Sequence, residues 1–213
     1  MPAAEASSAG ILVFQSASGG PIYAINEDGS DLRYLTTGID PALSPDGQWV
    51  AFTRWEDSQN GALGSLWVIN IDGTGLTQLT RGNYNNLDPC WLPDGGVAFI
   101  SDRKPAYAYC YVVTSPVLYR MDADGTKMRR LSHANLSEWK PSVMRSGRIL
   151  WTRSEYLDKG ADFGHTLWAI RPDGAHPELV FGNNTRNCYA NGREVPGTGE
   201  ICCTLISHGG DLN

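Results

Sequence analysis

The sequence predicts an all-β chain folded as a β-propeller of four-stranded antiparallel blades, and three observations carry that prediction. The first is an internal repeat of about 50 residues. Segments YAINEDGSDLRYLT from Tyr23, LWVINIDGTGLTQLT from Leu66, LYRMDADGTKMRRLS from Leu118 and LWAIRPDGAHPELV from Leu167 place Asp-Gly pairs at Asp28, Asp72, Asp124 and Asp173. The second is an interleaved series: DPALSPDGQWVAFT from Asp40, DPCWLPDGGVAFIS from Asp88 and KPSVMRSGRILWTR from Lys140, with a degenerate copy, REVPGTGEICCTLIS, from Arg193. The third is that β-branched and aromatic residues cluster in runs of four to six between turn dipeptides, and no stretch has a helical period.

Each unit resolves into four strands, A (innermost) to D (outermost). In the second unit these are PALS, WVAFTR, SLWVIN and LTQLT, with Pro-Asp-Gly joining A to B and Ile-Asp-Gly-Thr joining C to D. Asp-Gly suits such turns because glycine accepts positive φ while the carboxylate takes hydrogen bonds from neighbouring backbone N–H groups. After a flexible leader over residues 1–10, residues 11–37 give a partial first blade with B at ILVFQS, C at PIYAIN and D at LRYLT. Complete blades are expected over 41–80, 89–132 and 141–181, and a partial fifth over 186–213. The ends then duplicate one strand. Two readings stay open: a piece of a larger ring, or a small or assembled ring that discards the surplus strand. In the first, uncovered strand edges favour self-association.

DPALSPDGQWVAF and LWVINIDGTGLTQLT resemble the repeat of TolB-type propellers, and the resemblance covers most of the chain. The stretch from Leu118 to Gly174 is similar to a propeller region of hydrazine synthase alpha-subunit-related proteins. The catalytic members of that family carry c-type haem on C-x-x-C-H sequences, which do not occur in these residues, so the resemblance implies a shared scaffold and a periplasmic or extracytoplasmic setting without the chemistry.

Composition narrows the partners. Twenty-three acidic against 17 basic residues leave a net charge of −6, with no Lys/Arg block, so nothing favours nucleic acid. No apolar run approaches the roughly 20 residues of a spanning helix. The N-terminal MPAAEASSAG lacks the basic and apolar regions of an export signal. Five cysteines without a C-x-x-C pair argue against a zinc ribbon, and the expectation is buried free thiols at Cys90, Cys110, Cys188, Cys202 and Cys203. No cofactor is called for.

The A–B and C–D turns are short, whereas the B–C connections run from about Trp55 to Gly64, Asp102 to Pro116 and Ser154 to Thr166, so the end bearing them is the elaborated one. Its candidate ligand-binding residues are Trp55, Glu56, Tyr84, Arg103, Tyr107, Tyr109, Trp139, Glu155, Tyr156, Asp158 and His165; Asn86, His133 and Glu138 are expected in the D–A connections there. Aromatics mixed with carboxylates suit a polar ligand or a peptide, against the blander role of packing loops onto their own sheets. Asp158, Asp162 and His165 are weak candidates for a metal, since their spacing on one loop defines no geometry. DADG at Asp122 lacks the remaining ligands of a calcium loop and reads as a turn.

No catalytic residue is assigned. Neither a G-x-S-x-G elbow nor a G-x-x-x-x-G-K-[ST] phosphate loop occurs, and Cys110 among tyrosines reads as packed rather than nucleophilic. The expected function is a non-catalytic scaffold that binds a protein or polar ligand through its B–C end. The alternative is a propeller region of a larger redox or hydrolytic enzyme whose catalytic groups lie elsewhere.

Overall fold

The computed structural model describes residues 10–58, 61–103, 107, 114–156, 163–182 and 187–206. These form strands arranged in five antiparallel sheets, and no helix occurs among the described residues. The first sheet holds β1 (Ile11–Gln15), β2 (Pro21–Asn26) and β3 (Arg33–Thr37). The second is β4 (Ile39–Leu43), β5 (Trp49–Ser58), β6 (Gly61–Asn70) and β7 (Thr77–Gln78). The third is β8 (Asn86–Trp91), β9 (Val97–Ser101), β10 (Val117–Met121) and β11 (Arg129–Arg130). β12 (Glu138–Val143), β13 (Ile149–Tyr156), β14 (Phe163–Ile170) and β15 (Glu178–Phe181) make the fourth, and β16 (Cys188–Glu194) pairs with β17 (Ile201–Ile206) in the last.

Strand neighbours in space are neighbours in sequence throughout. The turns at one end follow from the Asp-Gly chemistry. The amide of Gly47 donates to the Ser44 carbonyl at 2.9 Å, and the amides of Gly95 and Gly147 repeat the bond to Leu92 and Met144 at 3.0 and 2.8 Å. In the C–D turns the Asp72 Oδ1 accepts from the Thr74 amide and hydroxyl at 2.9 and 2.7 Å, and Asp124 does the same with Thr126. These bonds hold both carboxyls below the usual carboxylate range.

The apolar core lies between sheets. Ile22 and Ala24 of the first sheet meet Val50 and Phe52 of the second; Ala51, Leu66 and Val68 meet Phe99 and Tyr119; Ile100 and Leu118 meet Ile149 and Trp151. Each fully buried Val, Leu, Ile or Phe among these contributes about 1.5–3 kcal/mol. β9, Val-Ala-Phe-Ile-Ser, is buried at every position because it is covered on both faces. The first and last strands differ: Leu12 and Phe14 of β1 and Leu205 of β17 are exposed.

Two expectations need correction. Cys202 and Cys203 are exposed rather than buried, because they lie on β17, the edge strand of a sheet with two described strands, while Cys188 is buried and Cys90 half-buried. The long B–C connections are also in large part not loops. β5 and β6 stay paired from Trp49–Asn70 to Ser58–Gly61, and β13 and β14 from Ile149–Ile170 to Tyr156–Phe163. Continuing the ladder satisfies backbone groups that a loop would leave to solvent.

Candidate functional site

The B–C end carries most of the predicted site residues, but as small separate groups. Trp55 continues β5, stands 47% exposed, and borders a cavity of about 260 Å³ with Arg54, Gly19, Thr37 and Gly38. Glu56 accepts a 3.4 Å hydrogen bond from Gln78. On the next sheet the Arg103 guanidinium lies 5.0 Å from the ring centroid of Tyr84, itself 42% exposed, and reaches Asn86 Oδ1 at 3.3 Å. Tyr107, 64% exposed, bridges to Thr114, whose hydroxyl donates to Asp102 at 2.9 Å. On the fourth sheet the rings of Trp139 and His165 meet at a tilt of 55°, with centroids 4.9 Å apart.

Asp158, Asp162, Tyr109 and Cys110 lie outside the described residues, as do the side chains of Glu155 and Tyr156. Among the described residues no group of three or more His, Cys, Asp or Glu side chains is placed to hold a metal. The end is stiffened from within: Asn85 Oδ1 accepts from the Gly64 amide at 3.0 Å, while its own amide and side chain donate to the two Asp102 oxygens at 2.8 and 2.9 Å. This links the second and third sheets.

Asn86 and Glu138 are not in the D–A connections where the sequence suggested them. They sit in the innermost strands β8 and β12 and are buried. Glu138 Oε1 accepts from the Ser132 hydroxyl at 2.6 Å, and Oε2 accepts from the Leu118 amide at 2.8 Å, joining the fourth sheet to the third. Burial nonetheless pushes its carboxyl above the usual range.

The innermost strands hold a second polar cluster. Each is bulged where the register shifts, and the residue at the bulge has a left-handed backbone: Asp40 (φ 55°), Asp88 (φ 53°), Lys140 (φ 48°) and Asn191 (φ 56°). Proline follows the first three, a placement that strands tolerate at bulges. Lys140 Nζ lies 2.7 Å from Asp40 Oδ1 and 2.8 Å from Asp88 Oδ1, and the Lys140 amide donates to Asp88 Oδ2 at 3.0 Å. These groups border a cavity of about 590 Å³ flanked by β1 and Arg193. Burial raises the Asp40 carboxyl, with Lys140 opposing; burial also works against the ammonium of Lys140, but Asp88 and Asp40 outweigh it and hold its value up.

This cluster was missed from sequence, although its residues open the DPAL, DPCW and KPSV copies of the repeat. A second signal is an arginine within or just past the B strand of each four-stranded sheet: Arg54 in β5, Arg153 in β13, and Arg103, already a candidate, two residues beyond β9. Arg54 lies 5.1 Å from the Trp67 ring and Arg153 4.5 Å from that of Trp168.

Comparison with known proteins is consistent with this architecture. The family described as PD40, TolB beta propeller domain, matches residues 33–159. A "Protein TolB homolog" of Chlorobium chlorochromatii is 39% identical over 131 residues, covering 60% of this chain and 27% of the relative. An "Uncharacterized peptidase YuxL" of Bacillus subtilis is 28% identical over 114 residues, covering 52% of this chain and 16% of the relative. Among solved structures, Kuenenia stuttgartiensis hydrazine synthase superposes with a TM-score of 0.75 at 18% identity, over 89% of this chain and 32% of its own. The chain thus spans well under half the length of these relatives.

Proposed function

The chain belongs to the TolB beta propeller domain family, and from that premise we propose that it is a non-catalytic binding module that recognises a partner protein segment or a polar ligand through the B–C end of its blades. The observation that carries this is the exposure of three large aromatics, Trp55, Tyr84 and Tyr107, at one end of adjacent sheets, with Arg103 against the face of Tyr84. Rigid rings beside a cation are the composition that dominates binding hot spots. Peptides selected on the wild-type chain by phage display should lose about tenfold or more in affinity with Trp55→Ala or Tyr84→Ala. Selected peptides that bind both variants as tightly as wild type reject the reading.

A second reading is favoured by the short span of the relatives. Covering 16% of a peptidase relative and 32% of hydrazine synthase, the chain corresponds to a propeller region of larger proteins. In that role it shapes access to catalytic groups supplied by other parts of a multidomain hydrolytic or redox enzyme. A reading frame that encodes a G-x-S-x-G elbow or C-x-x-C-H sequences together with this chain supports it; one that encodes neither counts against it.

Likeness to the TolB homologues supports an extracytoplasmic location, which fractionation of the native protein tests. The exposed first and last strands, β1 and β17, support self-association through blade edges. Light scattering should give a dimer or larger, and a sharp monomer peak argues against it.

A further inference from the structure

At the opposite end, where the short turns gather, the second and third sheets enclose a cavity of about 720 Å³. Its apolar wall is Trp49, Val68, Leu79 and Trp91, all packed against the core between those sheets. Three carboxylate residues, Asp46, Asp94 and Asp124, line the same space, and no lysine or arginine does. Asp94 is paired with Arg120 at 2.9 Å. Asp46 and Asp124 form no ion pair among the described residues. Each instead uses Oδ1 within its own turn: Asp46 accepts from the Ser44 hydroxyl at 2.6 Å and the Gln48 amide at 3.1 Å, and Asp124 from Thr126. Those bonds keep both carboxyls below the usual range, with Lys127 lowering Asp124 further, so two carboxylates outside any ion pair among the described residues stand at the rim of the cavity at neutral pH.

A cavity walled by two tryptophans and edged by carboxylates complements a cation on an apolar stem, since indole faces are the strongest cation–π partners among side chains. A smaller cavity of about 250 Å³ adjoins it, sharing Pro93 and Asp94, and is lined by Arg148 and Arg171. Both arginines are already paired, Arg148 with Glu178 and Arg171 with Asp173. The two cavities meet at the Pro93–Asp94 ridge, which fits an extended chain crossing from one blade gap to the next rather than a compact cation held in one.

We propose that this turn-end cavity binds an extended segment of a partner protein that carries arginine or lysine beside an apolar residue. The site is independent of the B–C end and does not rest on the function proposed there.

The test is calorimetric titration of the full chain with the peptide acetyl-Ala-Leu-Arg-Ala-Glu-amide and its glutamine-for-arginine counterpart. The arginine peptide should bind about tenfold more tightly, a preference erased by raising salt from about 0.05 to 0.5 M. The double variant Asp46→Asn, Asp124→Asn keeps the Oδ1 acceptors of both turns and should lose the preference with its circular dichroism unchanged. Salt dependence of the wild-type preference keeps the test decisive if the double variant fails to fold. The proposal is overturned if neither peptide binds, if both bind equally, if the preference survives high salt or the double variant, or if tetramethylammonium binds as tightly as the arginine peptide.

Discussion

Lys140 Nζ lies 2.8 Å from Oδ1 of Asp88, a residue one full repeat earlier in the chain at the equivalent bulge of the neighbouring innermost strand. The same ammonium is 2.7 Å from Asp40, one repeat earlier again. One lysine thus ties three blades together at their inner edges, where a third copy of Asp would set three carboxylates facing one another. Substitution of the repeat's acidic residue by a base in its third copy turns mutual repulsion into a clamp.

Lys140→Met should therefore destabilise the fold by about 2 kcal/mol at pH 7. That is less than the roughly 3–5 kcal/mol for breaking a fully buried pair, because Lys140 and Asp40 keep 35% and 30% of their side-chain surface in solvent. The pH dependence has a definite sign. Lys140 has a folded value above its ordinary 10.5, so its contribution is complete below 10.5 and is lost as pH rises through the folded value. The deficit of the variant should thus be constant through neutral pH, close above pH 10.5, and also narrow in acid as Asp40 protonates. Urea midpoints across pH check this.

Glu138 is buried among hydrogen bonds from Ser132 and Leu118, and its carboxyl is raised above the ordinary 4.5 by burial. A raised acid holds its proton longer in the folded state, so its contribution to stability is complete below pH 4.5 and is lost as pH climbs through the folded value. Glu138→Gln, which can accept from Leu118 and donate to Ser132, should match wild type near pH 4 and gain on it toward pH 7. Glu138→Leu strands the Leu118 amide and should cost about 1–3 kcal/mol. Denaturation midpoints of both variants at pH 4 and 7 separate the two effects.

Gly29 and Gly125 occupy equivalent C–D turns with φ of +83° and +84°. A Cβ on Gly29 meets nothing within 4 Å, whereas one on Gly125 falls 2.7 Å from the Leu79 carbonyl oxygen on the neighbouring blade. Gly29→Ala should cost about 1 kcal/mol of backbone strain alone. Gly125→Ala should cost more by at least about 1 kcal/mol, because the blocking atom is backbone and cannot step aside. Equal losses in thermal melts would refute the close inter-blade approach.

Thiol reactivity should divide the cysteines. Exposed Cys202 and Cys203 should label with Ellman's reagent at pH 8 in the folded chain, while Cys188 is shielded and burial pushes the Cys90 thiol up to about 11. Cys90 and Cys188 should label once the chain is denatured, as read by mass spectrometry of the labelled peptides.

Residue type alone determined the blade architecture. Asp-Gly and Pro-Asp-Gly dictate tight turns through local φ and hydrogen bonding, and the recurrence of those turns sets strand number and order without reference to distant contacts. The B–C end was visible too, because aromatics such as Trp55 and Tyr84 mark it. Other features depend on residues a repeat or more apart. Only the packed sheets bring Lys140 to Asp40 and Asp88, carry Glu138 into the interior to meet Leu118, and set Trp49 and Trp91 across one cavity from Asp124. Periodicity states that such residues are equivalent; it does not state how far their side chains stand from those of the next blade. That separation is decided by the bulges and by the apolar packing between sheets, which are properties of the assembled fold.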